Sequence, residues 1–178
     1  MEIKDLSLAG LKLILPKIFR DSRGFFLETF QEDLYRKNGI ISSFVQDNHS
    51  FSTYGVIRGM HFQTKPGQAK LIRVAMGKIY DVVVDIRPTS PTFGRWEGVY
   101  LDDEMHSQLF VPIGFAHGFC VMSKEAHVMY KVSSPYFGPT ENGFRFDDRA
   151  VGIHWPITHP IVSERDLNSP SFSDMRFA

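Results

Sequence analysis

A single cysteine, Cys120, leaves this chain of 178 residues unable to close an internal disulfide, so its stability has to come from a packed core. The residue lies in Phe119-Cys120-Val121-Met122, where a buried apolar thiol is expected and a nucleophile is not. Net charge is also missing, because 20 Lys and Arg face 20 Asp and Glu. That balance excludes the general field that nucleic acid or an anionic membrane surface would need. An anionic ligand must then be held by a few placed cations. No apolar run is long enough to span a bilayer, and Leu6 to Leu15 is interrupted by Lys12. The start has neither the basic residues nor the apolar stretch of a signal peptide, and the reading is a soluble cytoplasmic protein. Repeats, low-complexity tracts and charge blocks are absent, so one domain over residues 1–178 is expected.

Several chemical signatures are missing as well. Seven histidines are present, yet no two stand in His-x-His or His-x-x-x-His spacing. Metal-binding barrels usually present such a pair with a nearby Glu, so neither metal nor organic cofactor is expected. There is no glycine-rich phosphate loop and no Gly-x-Ser-x-Gly.

What is present is strand signal. Short runs rich in Val, Ile, Phe and Tyr alternate with Gly, Pro, Ser and Asn punctuation, which predicts an all-β, jelly-roll-like barrel. The clearest strand is Lys78 to Arg87, with Tyr80, Val82, Val84 and Ile86 on one face and Asp81, Asp85 and Arg87 on the other. Further strands are expected over 70–76, 96–101, 109–112, 115–122 and 127–133. Helix signal is confined to Gln31–Lys37, ended by Gly39, and to a helix start at Ser163-Glu164-Arg165-Asp166. The N-terminal strands are expected outside the barrel proper.

Polar residues on faces that should be apolar locate a pocket. Period two sets Lys70 beside Ile72, Val74 and Met76. It sets Tyr130 beside Val128 and Val132, and His117 beside Phe115, Phe119 and Val121. Each alone is explained by snorkelling, a backbone hydrogen bond or a satisfied core histidine. Together they predict a polar pocket inside the barrel, because buried polar groups need partners. Asp21-Ser22-Arg23-Gly24 and Gln46-Asp47-Asn48-His49 read as turns unless something else claims them. Gly55-Val56-Ile57-Arg58-Gly59-Met60-His61 is less ordinary, since glycines bracket Arg58 and allow close backbone approach.

These stretches resemble the dTDP-4-dehydrorhamnose 3,5-epimerase family. The resemblance is carried by Phe19 to Glu28, Phe44 to Ser50, Arg58-Gly59-Met60-His61-Phe62-Gln63, Ala69 to Val74 and Asp81 to Arg87. It continues through Ser90 to Gly94, Gly114-Phe115-Ala116-His117-Gly118-Phe119, Tyr130-Lys131 and Ser163 to Asp166. It implies a cupin-type jelly roll without metal or cofactor, usually a homodimer, acting on a dTDP-linked 4-keto-6-deoxy sugar. By motif position, His61 matches the catalytic base, Asp166 its carboxylate, Tyr130 the proton donor and Lys70 the cation at the keto oxygen. Substrate-binding positions are matched by Arg23, Glu28, Gln46, Asp47 and Asn48. Arg58, Lys70, His117, Glu141 and Arg165 match the rest.

Three departures stand out: Ile113 where the family commonly has Glu, Phe146 where Trp is usual, and Asp102-Asp103-Glu104-Met105 in place of a Ser-Ala-Glu-Asn-like stretch. The alternatives are an epimerase of a single centre on another nucleotide-linked 4-keto sugar, a sugar-binding jelly roll without catalysis, and a metal-dependent cupin.

Overall fold

Alternating β-branched and aromatic residues make strands the dominant regular element of the chain. The structure, a computed structural model, describes residues 1–177. The strands are β1 (Glu2–Asp5), β2 (Lys12–Leu15), β3 (Ile18–Asp21), β4 (Gly24–Leu27), β5 (Gln46–Thr53), β6 (Val56–Gln63) and β7 (Lys70–Met76). They continue as β8 (Lys78–Asp85), β9 (Trp96–Asp102), β10 (Gln108–Val111), β11 (Phe115–Val121), β12 (Glu125–Val132), β13 (Glu141–Gly143) and β14 (Ile161–Val162). Two short helices, α1 (Glu32–Lys37) and α2 (Glu164–Leu167), begin at Gln31 and Ser163 caps, as the sequence suggests.

Two sheets carry the jelly roll. One runs β1-β2-β10-β7-β12-β5 and the other β13-β6-β11-β8-β9, with β14 parallel to β6. Their facing sides bury Ile72, Val74, Ile79, Val83, Leu109, Phe119, Val121 and Val128 in one core. The sheets meet face to face and do not close into a continuous barrel. Behind the second sheet, Met60, Phe62, Val82, Val84 and Phe144 are covered by Trp155, Phe172, Met175 and Phe177 from the C-terminal stretch. Behind the first, Tyr35 of α1 packs with Ile14, Leu71 and Phe110. As expected, part of the N-terminal region stands apart: β3 and β4 pair only with each other. The hairpin they make leaves Phe19, Phe25 and Phe26 50%, 52% and 66% exposed. β1 and β2 instead extend the first sheet.

Two readings of the sequence change in the structure. β8 is not divided into an inner and an outer face, because both are covered: Asp81, Val82, Val83, Val84 and Asp85 are all fully buried. The aspartate face is the one that points between the sheets, with Ile79 and Val83. Gln46–His49 is no turn but the start of β5, and Gly55–Gln63 is largely β6. Both strands alternate polar residues inward because they line a cavity, so the apolar period that signals a strand is missing from them.

Candidate active site

Between the sheets, the apolar core gives way at one end to a cavity of about 540 Å³, within the usual range for small-molecule sites. β6 contributes one wall. Arg58 and His61 are three residues apart, so strict alternation would send them to opposite faces. A register shift opposite His117 and Phe119 inserts one extra residue, and both side chains then face the cavity. Gly59 makes this possible. Its φ is +132°, and a Cβ there would lie 2.6 Å from the Gly118 Cα.

His61 Nε2 donates to Asp166 Oδ1 at 2.7 Å, and the Gly59 N–H donates to Asp166 Oδ2 at 3.3 Å. The proton on Nε2 leaves Nδ1 as the basic ring nitrogen. Asp166 is 4% exposed. Burial pulls its carboxyl up, but the hydrogen bond and charge of His61 and the Gly59 N–H outweigh that and hold it below the usual carboxylate range. An ionised Asp166 fixes the orientation and tautomer of the ring, the arrangement a general base needs.

A second histidine stands beside the first. His117 on β11 is the cross-strand partner of His61, and its Nε2 lies 2.9 Å from both oxygens of Asp81 on β8. Asp81 escaped the sequence reading, which set it on the far face of its strand. The run of apolar residues around it was the available signal, because a strand apolar on both faces is buried on both. Burial pushes the Asp81 carboxyl up, opposed by His117 and by Lys70.

The opposite wall belongs to the first sheet. Lys70 on β7 and Tyr130 on β12 point inward, as alternation predicted, with His117 across from them. Lys70 is 8% exposed, and burial lowers its ammonium from 10.5 to about 8, with Glu141 and Asp81 opposing. Burial raises the Tyr130 phenol, Arg58 opposes and Glu141 assists, so the hydroxyl keeps its proton at neutral pH. His61 and Tyr130 thus project from different sheets into one cavity.

Cations and amides surround this centre. Arg58 is fixed by Nε on Ser52 Oγ at 2.9 Å and Nη2 on the Phe51 carbonyl at 3.2 Å. Arg165 meets Glu141 at 2.7 Å at the rim, and Gln46 donates to Asn48 at 2.8 Å. Ser50, Gln63, Gln68 and Tyr136 also line the cavity and were missed, since nothing in their local sequence marks them.

Three expected binding residues are not brought there in this chain. Asp47 alternates to the other face of β5 and pairs with Lys131 at 2.8 Å. Arg23 sits at the exposed tip of the β3–β4 hairpin and holds Asp21 at 2.7 Å, and Glu28 is exposed beyond β4. The three departures stay away from the cavity as well. Ile113 is exposed, and Phe146 packs with Ile57 and Cys120. Asp102 caps its own turn through the Glu104 and Met105 N–H groups. Cys120 is fully buried and its thiol is pushed up to about 11, as an inert core residue should be. Among the described residues, no three His, Cys, Asp or Glu side chains gather as a metal site would require. None of the helices described is long and apolar enough to cross a membrane.

Known proteins resemble this chain in sequence and fold. A family model described as dTDP-4-dehydrorhamnose 3,5-epimerase matches residues 5–174. The dTDP-4-dehydrorhamnose 3,5-epimerase of Shigella flexneri is 44% identical over 98% of this chain and 97% of its own length. The dTDP-6-deoxy-D-glucose-3,5-epimerase of Legionella pneumophila, solved with dTDP-4-keto-L-rhamnose, superposes with a TM-score of 0.95 at 41% identity. That match covers 98% of this chain and 94% of the other. A 3'-monoepimerase of Streptomyces bikiniensis, solved with dTDP-quinovose, gives a TM-score of 0.89 at 35% identity, over 94% and 86%.

Proposed function

The chain belongs to the dTDP-4-dehydrorhamnose 3,5-epimerase family, and we propose that its cavity performs the family's reaction through the groups described above. The enzyme is an isomerase of a dTDP-linked sugar in rhamnose biosynthesis. It inverts C3 and C5 of dTDP-4-dehydro-6-deoxy-D-glucose to give dTDP-4-dehydro-L-rhamnose.

One observation supports the assignment of roles above all others: His61 and Tyr130 line one cavity from opposite sheets. Inversion beside a ketone needs that arrangement. His61 Nδ1 takes the hydrogen from the carbon next to C4, and the C–H electron pair moves to make the C=C bond of an enolate. The C4 oxygen takes up the negative charge. The Lys70 ammonium, with His117 beside it, stabilises that oxygen, and deleting one such donor typically costs about 3–4 kcal/mol. Tyr130 then delivers a proton to the other face, so the carbon is inverted and the ketone restored. Solvent resets both groups before the second carbon reacts. Every step at the substrate is a proton transfer to or from a side chain, and the assignment includes no cofactor.

Arg58 is assigned to the diphosphate, where its planar fork suits phosphate oxygens. Arg23 and Glu28 are assigned to the cavity of a second copy. Their hairpin carries three exposed phenylalanines that a homodimer would cover. Asp47 receives no role at the sugar. The cytoplasm is the proposed location, consistent with one unpaired and buried cysteine.

The test is proton NMR of dTDP-4-dehydro-6-deoxy-D-glucose with the protein in D2O and chelator. Deuterium is expected at C3 and C5, together with the L-sugar product. Deuterium at C3 alone would favour the single-centre reading that the monoepimerase likeness keeps in play. No exchange, or exchange restored only by zinc or iron, would overturn the assignment.

A further inference from the structure

The backbone that flanks the base and the backbone that carries its carboxylate are tied together by one residue outside the cavity. Gly143 of β13 pairs in register with His61, and Phe144 exchanges backbone hydrogen bonds with Met60 at 3.2 and 3.3 Å. The next residue, Arg145, turns to the other half. Its N–H donates to the Pro170 carbonyl at 3.0 Å, and its Nη1 donates to the Leu167 carbonyl at 2.8 Å. Nε and Nη2 meanwhile hold both oxygens of Asp147 at 2.9 and 2.8 Å, so the planar fork is fixed in direction.

Leu167 is the last residue of α2, the single turn that carries Asp166. A four-residue helix cannot hold itself in water, so the place of Asp166 depends on ties from outside. On the N-terminal side these are the Ser163 cap and the pairing of β14 with β6. On the C-terminal side the Leu167 carbonyl is one of the groups a helix end leaves unpaired, and Arg145 satisfies it.

We propose that Arg145, clamped by Asp147, is a positioning residue that sets the His61–Asp166 hydrogen bond by fixing the C-terminal end of α2. The inference rests on the dyad proposed above. Ordinary surface ion pairs stabilise folds little, and the Arg145 and Asp147 side chains are 42% and 46% exposed. A loss of turnover without a loss of stability is therefore the signature of positioning.

The experiment compares Arg145→Gln, Arg145→Lys and Asp147→Asn in the full chain, each also in an Asp166→Asn background. Arg145→Gln is expected to lower kcat about tenfold with KM nearly unchanged, since small misplacements of a reacting group cost at least that much. Its melting temperature should stay within about 2 °C of the parent. The downfield proton resonance of the His61–Asp166 hydrogen bond should weaken. Arg145→Lys, which can still reach the Leu167 carbonyl, should recover part of kcat, and Asp147→Asn should lose less than Arg145→Gln. In the Asp166→Asn background, Arg145→Gln should cost nothing further. Parental kcat in Arg145→Gln, or the same loss in both backgrounds, would overturn the inference while leaving the dyad intact. Full activity in Asp166→Asn alone would remove the dyad itself, and this inference with it.

Discussion

His61 and His117 are cross-strand partners on β6 and β11, and each turns its Nε2 to an aspartate of its own. The two pairs differ in their surroundings. Asp166 is held ionised beside a ring that reaches the cavity. Asp81 is sealed in the core, with its carboxyl raised by burial and its charge shared between His117 and Lys70. The first pair suits a group that changes protonation during turnover, and the second suits a fixed field under the keto oxygen.

That division gives a pH prediction. The Lys70 ammonium titrates at about 8 because burial outweighs Glu141 and Asp81. Turnover should fall as pH rises through about 8, when the cation is lost. Asp81→Asn removes a charge that favours the ammonium, so the alkaline limb should move to lower pH, while Asp166→Asn should leave it in place. Stability runs the other way. Between pH 8 and 10.5 the unfolded chain holds more protons at this lysine than the folded one, so folding is favoured as pH rises. The full contribution is about 3 kcal/mol. Urea titrations at pH 8 and pH 10 should show a smaller rise for Lys70→Met than for the parent. An unmoved limb in Asp81→Asn would separate the two groups.

A second prediction concerns the base. His61→Ala should lose about a hundredfold or more in turnover, the usual scale of general base catalysis, while remaining folded. Asp166→Asn should lose less, since the ring stays but its orienting charge goes. Solvent exchange at C3 and C5 should fall with turnover in both. A folded His61→Ala protein with parental turnover would place the base elsewhere.

Residues on strands with clean apolar periods could be located from sequence. Lys70, Tyr130 and His117 each interrupt an apolar face, and all three line the cavity. The same logic fails where a strand lines the site. β5 alternates Gln46, Asn48, Ser50 and Ser52 inward, so its inner face looks like a loop. β6 breaks its period at Gly59 to keep Arg58 and His61 on one side. Asp81 shows a different gap: alternation sets it correctly on the face opposite Val82 and Val84, but does not reveal that its strand is covered on both faces. Asp166 and its turn lie 105 residues from His61, and no local pattern encodes a contact at that separation.

The exposed hairpin supplies a third prediction. Arg23→Ala should bind substrate weakly, and His61→Ala should be inactive. If Arg23 serves the second copy, mixing and reannealing these variants creates dimers in which one site has both groups intact. Random pairing makes half the dimers mixed, so activity should recover to about a quarter of parental. Without recovery, Arg23 serves its own chain or none, and the homodimer loses its support from the site.

The last prediction separates the acid from the base. Tyr130→Phe keeps the ring and removes only the hydroxyl. His61 would still take the hydrogen and solvent would still exchange with it, so deuterium should continue to enter the substrate. Inversion should slow much more, because the enolate is reprotonated on the face it came from. The ratio of exchange to inversion therefore rises well above parental if Tyr130 is the acid. A tyrosine that only packed the cavity wall would behave differently. Exchange and inversion would then fall together by a small factor, or stability would drop by about 1 kcal/mol with both rates kept. Either outcome would move the acid to another residue. The geometry gives the test its force: Tyr130 enters from the β7–β12 sheet and His61 from the β6–β11 sheet. Losing one wall's proton donor should leave the other wall's chemistry running.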